Sequence, residues 1–179
     1  MVYMFLADGF EIIEAMAPID MLRRADIEVK TVGVTGKTVI SSCNIAVNAD
    51  ITIEEFEYAE TDAIILPGGS DGVVNLENNS TVQHVIDRAV EDDVYICAIC
   101  AAPSILGNKG LLKNITATAF PSFMQYLDGA NSTEKFVVTD GKYITARGAG
   151  VSVDFGLEIV KALAGEDIAD NIRNTIQCI

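Results

Sequence analysis

Short runs of apolar residues alternate with helical patterns along most of this chain. Buried strands are predicted at 2–7, 27–34, 62–69 and 94–100, where apolar and β-branched residues predominate. The first helical pattern follows directly, at 8–25. Continuous apolar strands with helices between them form a mostly parallel sheet that helices cover on both faces. The alternation therefore predicts an α/β fold.

Local turn and capping patterns predict the remaining elements. They are short edge strands within 37–53, a helix beginning near Ser80, a helix over 101–112, strands at 116–120, 135–140 and 143–148, and helices over 152–164 and 166–176. Ser80 with Gln83 fits a capping box, and Ser152 fits an N-cap. Asp140-Gly141 is typical of a hairpin between the last two strands.

Length and charge limit the classes of protein that this chain can represent. We expect a single domain over 1–179, which can bury about two-thirds of its unfolded surface. A net charge of −14 argues against nucleic acid and anionic membranes as partners. We also find no apolar run of membrane-spanning length and no secretory signal, so we expect a cytoplasmic protein in which the four cysteines are free thiols.

Three predicted strand ends carry chemically distinctive residues. They are the segment 8–14 after the first strand, the Pro-Gly-Gly turn at 67–69, and Cys100 after a later strand. In open parallel sheets, ligands bind outside the carboxyl ends of the strands. We therefore expect these three segments to converge on one crevice.

Cys100 lies where a buried strand turns into a helix. The N-terminal end of a helix favours thiolate, so this position predicts a lowered thiol pKa and a nucleophile-elbow geometry. Free cysteine is also among the most buried residue types, so position alone leaves open a purely structural role.

Cys97 stands three residues before Cys100, which is also the spacing of a redox pair. Strand residues three apart point to opposite faces, so Cys97 is predicted to project into the helix-covered core, away from Cys100. A thioredoxin-like pair is therefore disfavoured. Nothing in the sequence around Cys43 or Cys178 indicates a role.

Glu14 is the strongest candidate partner for the thiol. It lies early in the first helix among apolar neighbours, where a carboxyl can stay protonated, donate a hydrogen bond or exchange a proton. A surface helix charge is the competing interpretation for Glu14, and the favoured one for Glu11. The amides of Gly69 and Ala101 are candidate oxyanion donors.

Histidine and metal chemistry find little support in the sequence. The single histidine, His84, falls in a charged helical pattern and is predicted to be exposed. A Cys/His mechanism is therefore unsupported. We predict no metal site, because His and Cys do not cluster at ligand spacing.

Several segments together resemble the ThiJ/PfpI superfamily, in order and over nearly the whole chain. They are "DGFEIIEAMAPID", "LRRADIEV", "LPGGSDGVVNL", "AICAAPSIL" and "TARGAGVSVDFGLEIVKALAG". The likeness is strongest to the branch of the parkinsonism-associated deglycase and its bacterial chaperone-like relatives. The resemblance implies a flavodoxin-like three-layer sandwich of the class I glutamine amidotransferase-like type, a homodimer, and an oxidation-prone cysteine at the elbow.

The resemblance also implies individual roles. Cys100 matches the elbow cysteine, Glu14 the acid from the first helix that hydrogen-bonds to it, and Gly69 and Ala101 the backbone donors. Arg24, in "LRRA", matches an arginine near a dimer-side anion site.

Phe120 departs from those relatives that carry a histidine at its position, so a peptidase-like Cys/His pair is in doubt.

The favoured hypothesis is a cofactor-free enzyme that acts on reactive dicarbonyls or early glycation adducts through Cys100 and Glu14. A redox-sensing stress protein or chaperone using Cys100 is the alternative. An intracellular peptidase or amidase is a remote one. A flavodoxin-like cofactor binder is disfavoured, because the loop after the first strand lacks a Ser/Thr-rich phosphate cradle.

Overall fold

A seven-stranded sheet, parallel except at one edge, forms the centre of the computed structural model, which describes residues 1–178. The strands are β1 (Val2–Leu6), β2 (Val29–Gly33), β3 (Thr38–Ile40), β4 (Ala46–Asn48), β5 (Ile51–Thr52), β6 (Ala63–Leu66), β7 (Tyr95–Ile99), β8 (Thr116–Ala117), β9 (Asn131–Ser132), β10 (Val137–Asp140) and β11 (Tyr143–Ala146). The sheet runs β10-β11-β7-β6-β1-β2-β5. The predicted mostly parallel α/β fold is confirmed.

Six α-helices within residues 1–178 cover this sheet. They are α1 (Ile12–Arg24), α2 (Ser70–Asn78), α3 (Ser80–Glu91), α4 (Pro103–Asn108), α5 (Ser152–Ala164) and α6 (Glu166–Thr175). Because strand side chains alternate between faces, the chain builds two apolar cores. Residues of α2, α3 and α4 pack on one face of the sheet, and residues of α1, α5 and α6 pack on the other. The result is a three-layer sandwich.

The strand order places a crevice between β1 and β6. From β1 the chain moves outward to β2 on one side and then returns to β6 on the other, so the two loops after β1 and β6 separate there. Such a switch point is where open α/β sheets bind ligands. The Glu11 amide donates to the Gly68 carbonyl oxygen at 3.0 Å, which ties the two loops together. β7 lies beside β6, so Cys100 reaches the same edge.

Several local predictions are corrected by the structure. The helix α2 was missed, because a Pro-Gly-Gly turn gives no indication that a helix follows it. The N-cap of α3 is Asn79, whose side chain accepts from the Thr81 and Val82 amides, and not Ser80. Ser152 is the first residue of α5 and donates its hydroxyl to the Ala149 carbonyl oxygen, so it is not an N-cap.

Other elements are shorter than predicted, or lie outside the main sheet. The helix over 101–112 is reduced to α4, and the strand at 116–120 to β8, which pairs with β9 in a separate ladder. Within 37–53, where short edge strands were predicted, β3 and β4 form an antiparallel hairpin and β5 joins the edge of the main sheet. The hairpin through Asp140 and Gly141 is confirmed as β10 and β11.

Candidate active site

Cys100 lies one residue beyond β7, in a strained backbone conformation. Its φ of 65° is in the left-handed region, which a non-glycine residue adopts only at a cost of about 1–3 kcal/mol. Two backbone hydrogen bonds hold it there. The Cys100 amide donates to the Ala146 carbonyl oxygen, and the Phe120 amide donates to the Cys100 carbonyl oxygen, each at 2.8 Å. The predicted elbow geometry is therefore present.

Glu14 is fully buried in the first turn of α1, although it is a carboxylic acid. The Gly68 amide donates to its Oε2 at 2.9 Å, whereas its Oε1 is buried and has no hydrogen-bond partner among the described residues. A Cβ on Gly68 would lie 2.5 Å from Oε2 of Glu14 and 2.7 Å from Cβ of Cys100. Only glycine therefore fits between the acid and the cysteine.

Burial makes Glu14 a weak acid. Its pKa rises from 4.5 to about 7, and desolvation is the main cause. Hydrogen bonding from Cys100 and Gly68 opposes the rise, and the nearby charge of Glu11 adds to it. A carboxyl with a pKa near 7 exchanges protons readily at neutral pH.

The thiol of Cys100 is not the preformed thiolate that its position at the strand end predicts. Burial raises its pKa to about 12, and the charge and hydrogen bond of Glu14 contribute to the rise. The Ala101 and Gly69 amides lower the pKa but do not offset these effects. The expected helix contribution is small, because α4 is only six residues long and begins three positions later.

Glu14 and Cys100 consequently form one coupled acid–base pair. The charge on Glu14 is a cause of the high thiol pKa, and Cys100 in turn affects the pKa of Glu14. A weakly acidic thiol becomes a nucleophile when a neighbouring base takes its proton during attack. The geometry places such a base beside the sulfur.

The two predicted amide donors face the sulfur. Gly69 and Ala101 each supply a backbone N–H group that lowers the pKa of Cys100. Gly69 has a φ of 91°, and a Cβ there would overlap the Gly9 carbonyl oxygen, so glycine is required. Whether these amides bind an oxyanion stays a prediction.

Glu14 and Cys100 open onto a cleft of about 410 Å³. Its polar lining includes Glu11, Ser42, Ser70 and Ser122, and Phe120 forms part of its apolar lining.

Glu11 was interpreted as a solvated helix charge. It instead lines the cleft and accepts a hydrogen bond from the Ser42 hydroxyl at 2.9 Å. Ser42 comes from the β3–β4 turn, far away in sequence, so no local pattern could have identified it.

Cys97 is fully buried, as predicted, in the core beneath α1 and α5. The expectation that it points away from Cys100 is wrong in part, because Cys100 borders the same core at the end of the strand. The two are separated by about 10 Å along the strand, too far for a disulfide. Both are free thiols, as are Cys43 and Cys178.

The other charged candidates lie elsewhere. His84 is exposed on α3, as predicted. Arg24 lies at the last residue of α1, about 15 Å along the helix from Glu14, and pairs with Asp20 at 2.9 Å. It does not line the cleft of its own chain as far as the described residues show. Its place at a dimer-side anion site stays a prediction.

Within residues 1–178, two kinds of feature are absent. No group of three or more His, Cys, Asp or Glu side chains within this range is arranged to hold a metal ion. Over the same range, no helix combines the length and apolar character needed to cross a bilayer.

The DJ-1/PfpI family matches residues 1–162, a span that contains both α1 and the Cys100 elbow. The chain belongs to the DJ-1/PfpI family. It is 33% identical to the zebrafish Parkinson disease protein 7 homolog over 94% of this chain and 92% of that protein. It is 32% identical to the DJ-1 homolog A of Arabidopsis thaliana, but it spans only 45% of that longer protein.

Three further proteins are similar to this chain, one in sequence and two in solved structure. A deglycase of Thermococcus kodakarensis is 28% identical over 88% of this chain and 95% of its own length. Among solved structures, Drosophila melanogaster DJ-1beta superposes with a TM-score of 0.95 at 30% identity, over 99% of this chain and 97% of that one. An oxidized Toxoplasma gondii DJ-1 gives 0.94 at 30% identity, with coverage of 98% and 97%.

Proposed function

We propose that this DJ-1/PfpI family protein is a cofactor-independent enzyme that converts reactive dicarbonyls, such as methylglyoxal, or releases early glycation adducts. One observation carries the proposal: the buried Glu14, with a pKa near 7, faces the Cys100 thiol at the bottom of an open cleft. The similarity to a deglycase of Thermococcus kodakarensis supports this class of substrate.

The first step is attack of the sulfur on the aldehyde carbon. Glu14, ionised above its pKa of about 7, takes the Cys100 proton while the S–C bond forms. The Gly69 and Ala101 amides bind the oxygen that develops negative charge. Glu14 then passes the proton that it took from Cys100 to this oxygen, which completes the hemithioacetal and returns Glu14 to its carboxylate form. Proton removal and bond formation together avoid a free thiolate, which the high pKa of Cys100 disfavours.

The second step moves a proton between the two substrate carbons. Glu14 removes the hydrogen of the hemithioacetal carbon as a proton and returns it to the neighbouring ketone carbon through an enediol. The first carbon becomes a thioester, which water hydrolyses to release lactate and the thiol. The sum is methylglyoxal plus water to lactate, so no external oxidant or reductant is required. An early adduct of an amine first releases that amine and the aldehyde, which then follows the same route.

The test is lactate formation from methylglyoxal by purified protein. We expect turnover by the wild type, loss of turnover in Cys100→Ser, and retention in Cys97→Ala, which removes the neighbouring buried thiol as a matched control. Lactate formation by Cys100→Ser at the wild-type rate contradicts the proposal.

A redox-sensing role is the second candidate. Cys100 is partly exposed beside a carboxyl that could hydrogen-bond an oxidised sulfur, and the similar Toxoplasma gondii structure is of an oxidized DJ-1. The raised thiol pKa places this role second, because thiolate is the form that oxidises. Intact-mass analysis under mild peroxide tests it, and oxidation of Cys43, Cys97 or Cys178 before Cys100 argues against it. A reducing compartment such as the cytoplasm suits four free thiols.

We also propose that two copies associate. Ile13 is about half exposed on α1, next to Glu14 in sequence, and Arg24 is too far along that helix to reach the cleft of its own chain. Arg24 matches an arginine near a dimer-side anion site of the family, so we place it at the contact between the two copies. Sedimentation equilibrium checks this, and a monomer at micromolar concentration argues against it.

A further inference from the structure

A second, apolar groove lies beside the cleft that contains Cys100. It has a volume of about 380 Å³ and is lined by Phe120, Pro121, Phe136, Arg147 and residues 148–151. Phe120 and Ala149 line both spaces, so the groove and the cleft share a wall. None of the chemistry proposed above uses this groove.

The groove meets the cleft at Gly148. A Cβ on Gly148 would lie 4.0 Å from the Cys100 sulfur and 3.4 Å from Cδ2 of Phe120. The absence of a side chain there leaves the passage between sulfur and groove open. A group attached to a carbon that is bonded to the sulfur can therefore extend past Gly148 into the groove.

Two exposed aromatic rings line the groove. Phe120 is 45% exposed and Phe136 is 64% exposed, so both rings can lose contact with water when an apolar group binds against them. The Arg147 guanidinium lies 6.0 Å from the centre of the Phe136 ring and donates to the Glu134 carbonyl oxygen at 3.0 Å. The Arg147 guanidinium is thus held by Phe136 and Glu134, and apolar surface predominates in the groove.

We propose that this groove is the subsite for an apolar substituent on the ketone carbon of the dicarbonyl substrate. The structure accordingly favours aryl or branched alkyl glyoxals over methylglyoxal, whose methyl group occupies little of the groove. The choice of substrate rests on the proposed function, whereas the affinity of the groove for apolar groups next to the sulfur does not.

A labelling experiment tests the groove without requiring turnover. Iodoacetamide and N-benzyliodoacetamide both alkylate thiols by forming an S–C bond and releasing iodide, and they differ only in the apolar group. The rate ratio of benzyl to parent reagent is measured at Cys100 by peptide mass spectrometry and divided by the same ratio for free N-acetylcysteine. We expect a value of about ten, typical of a small apolar group in a partly open pocket.

Two variants localise the effect. Phe136→Ala removes one wall without touching the core, and Gly148→Ala narrows the passage; each should bring the ratio close to one. Ile168→Ala, an exposed apolar change on α6, is the matched control and should leave the ratio unchanged. A wild-type ratio near one, or a ratio that survives both groove variants, overturns the proposal.

Turnover then separates the two proposals. We expect kcat/KM for phenylglyoxal, which yields mandelate, to exceed that for methylglyoxal by about tenfold, and Phe136→Ala to remove most of this preference. Turnover of both substrates at equal rates, with no labelling preference, overturns the groove but leaves the proposed function standing. A labelling preference without turnover of either substrate supports the groove and overturns the proposed function.

Discussion

Cys97 and Cys100 lie three residues apart in one short segment, yet the structure gives them opposite environments. Cys97 is fully buried within β7, and burial alone raises its pKa. Cys100 is partly exposed, adopts a left-handed backbone conformation and is surrounded by an acid and two amides. The same residue type is thus a buried core residue at position 97 and a candidate nucleophile at position 100.

The difference comes from what the rest of the fold brings to the end of the strand. Only beyond the last residue of β7 can the loops after β1 and β6 reach the chain, so Glu14, Gly68 and Gly69 meet Cys100 and not Cys97. Reactivity is therefore a property of position within the sheet. Four predictions test this conclusion, from the largest expected effect to the smallest.

Loss of the Glu14 carboxylate should have the largest effect. In Glu14→Gln the Cys100 proton has no acceptor, so we expect kcat/KM for methylglyoxal to fall by about a thousandfold, within the range for general bases. The wild-type activity should also rise with pH through about 7, and the variant should lack this rise. Steady-state kinetics across pH measure both, with Glu91→Gln on α3 as the matched control. Equal activity of Glu14→Gln and wild type would remove the main distinction between the two cysteines.

Glu14 should also make stability depend on pH. Below pH 4.5 the carboxyl is protonated in both folded and unfolded chains. As the pH rises from 4.5 to about 7, the unfolded chain ionises while the folded one keeps its proton. The free energy of unfolding of the wild type should therefore fall across this window. The fall should be about 3 kcal/mol larger than that of Glu14→Gln over the same pH range. Urea denaturation measures it. Parallel pH profiles for the two proteins would show that Glu14 is solvated.

Alkylation should separate the two thiols directly. Cys97 becomes accessible only when β7 opens, and this costs much of the global stability. We expect iodoacetamide to modify Cys100 at least about a hundredfold faster than Cys97 under native conditions. Peptide mass spectrometry follows both sites in one sample, and urea should remove the difference. Comparable native rates would mean that β7 is not the rigid centre of the sheet.

Backbone strain should give the smallest difference. Glycine at position 100 relieves the left-handed strain, whereas glycine at position 97 weakens a strand interior and removes a buried side chain. We expect the free energies of unfolding of Cys100→Gly and Cys97→Gly to differ by about 2 kcal/mol, with Cys97→Gly the less stable. Thermal or urea unfolding of the pair checks this. The reverse order would show that the Cys100 conformation is not strained.

Much of the architecture could be predicted from local patterns. The apolar runs at β1, β6 and β7 predicted buried parallel strands, and the strand ends predicted that Glu14, the Gly pair and Cys100 converge. The same patterns failed where a local segment is ambiguous. The helix α2 was missed after a Pro-Gly-Gly turn, and Asn79 was overlooked beside an equally plausible Ser80.

Within the site, distant partners account for what was missed. Ser42 lines the cleft and Gly148 lies near the Cys100 sulfur, and both come from loops remote in sequence from Cys100. Glu11 was interpreted correctly as a residue at the start of a helix but wrongly as a solvated one, because the β3–β4 turn folds over it. The thiol pKa was expected to be low because the helix end is visible in the sequence. The burial of Cys100 itself, which is the main cause of its raised pKa, is not visible there.

The sequence by itself determined the sheet, the elbow and which residue types stand at the strand ends. These depend on side-chain periodicity and turn chemistry, which act over a few neighbouring residues. Only the tertiary structure decided the proton balance between Glu14 and Cys100 and the shape of the adjoining groove. Desolvation and charge–charge energies depend on every atom within several ångströms, and most of those atoms come from distant parts of the chain.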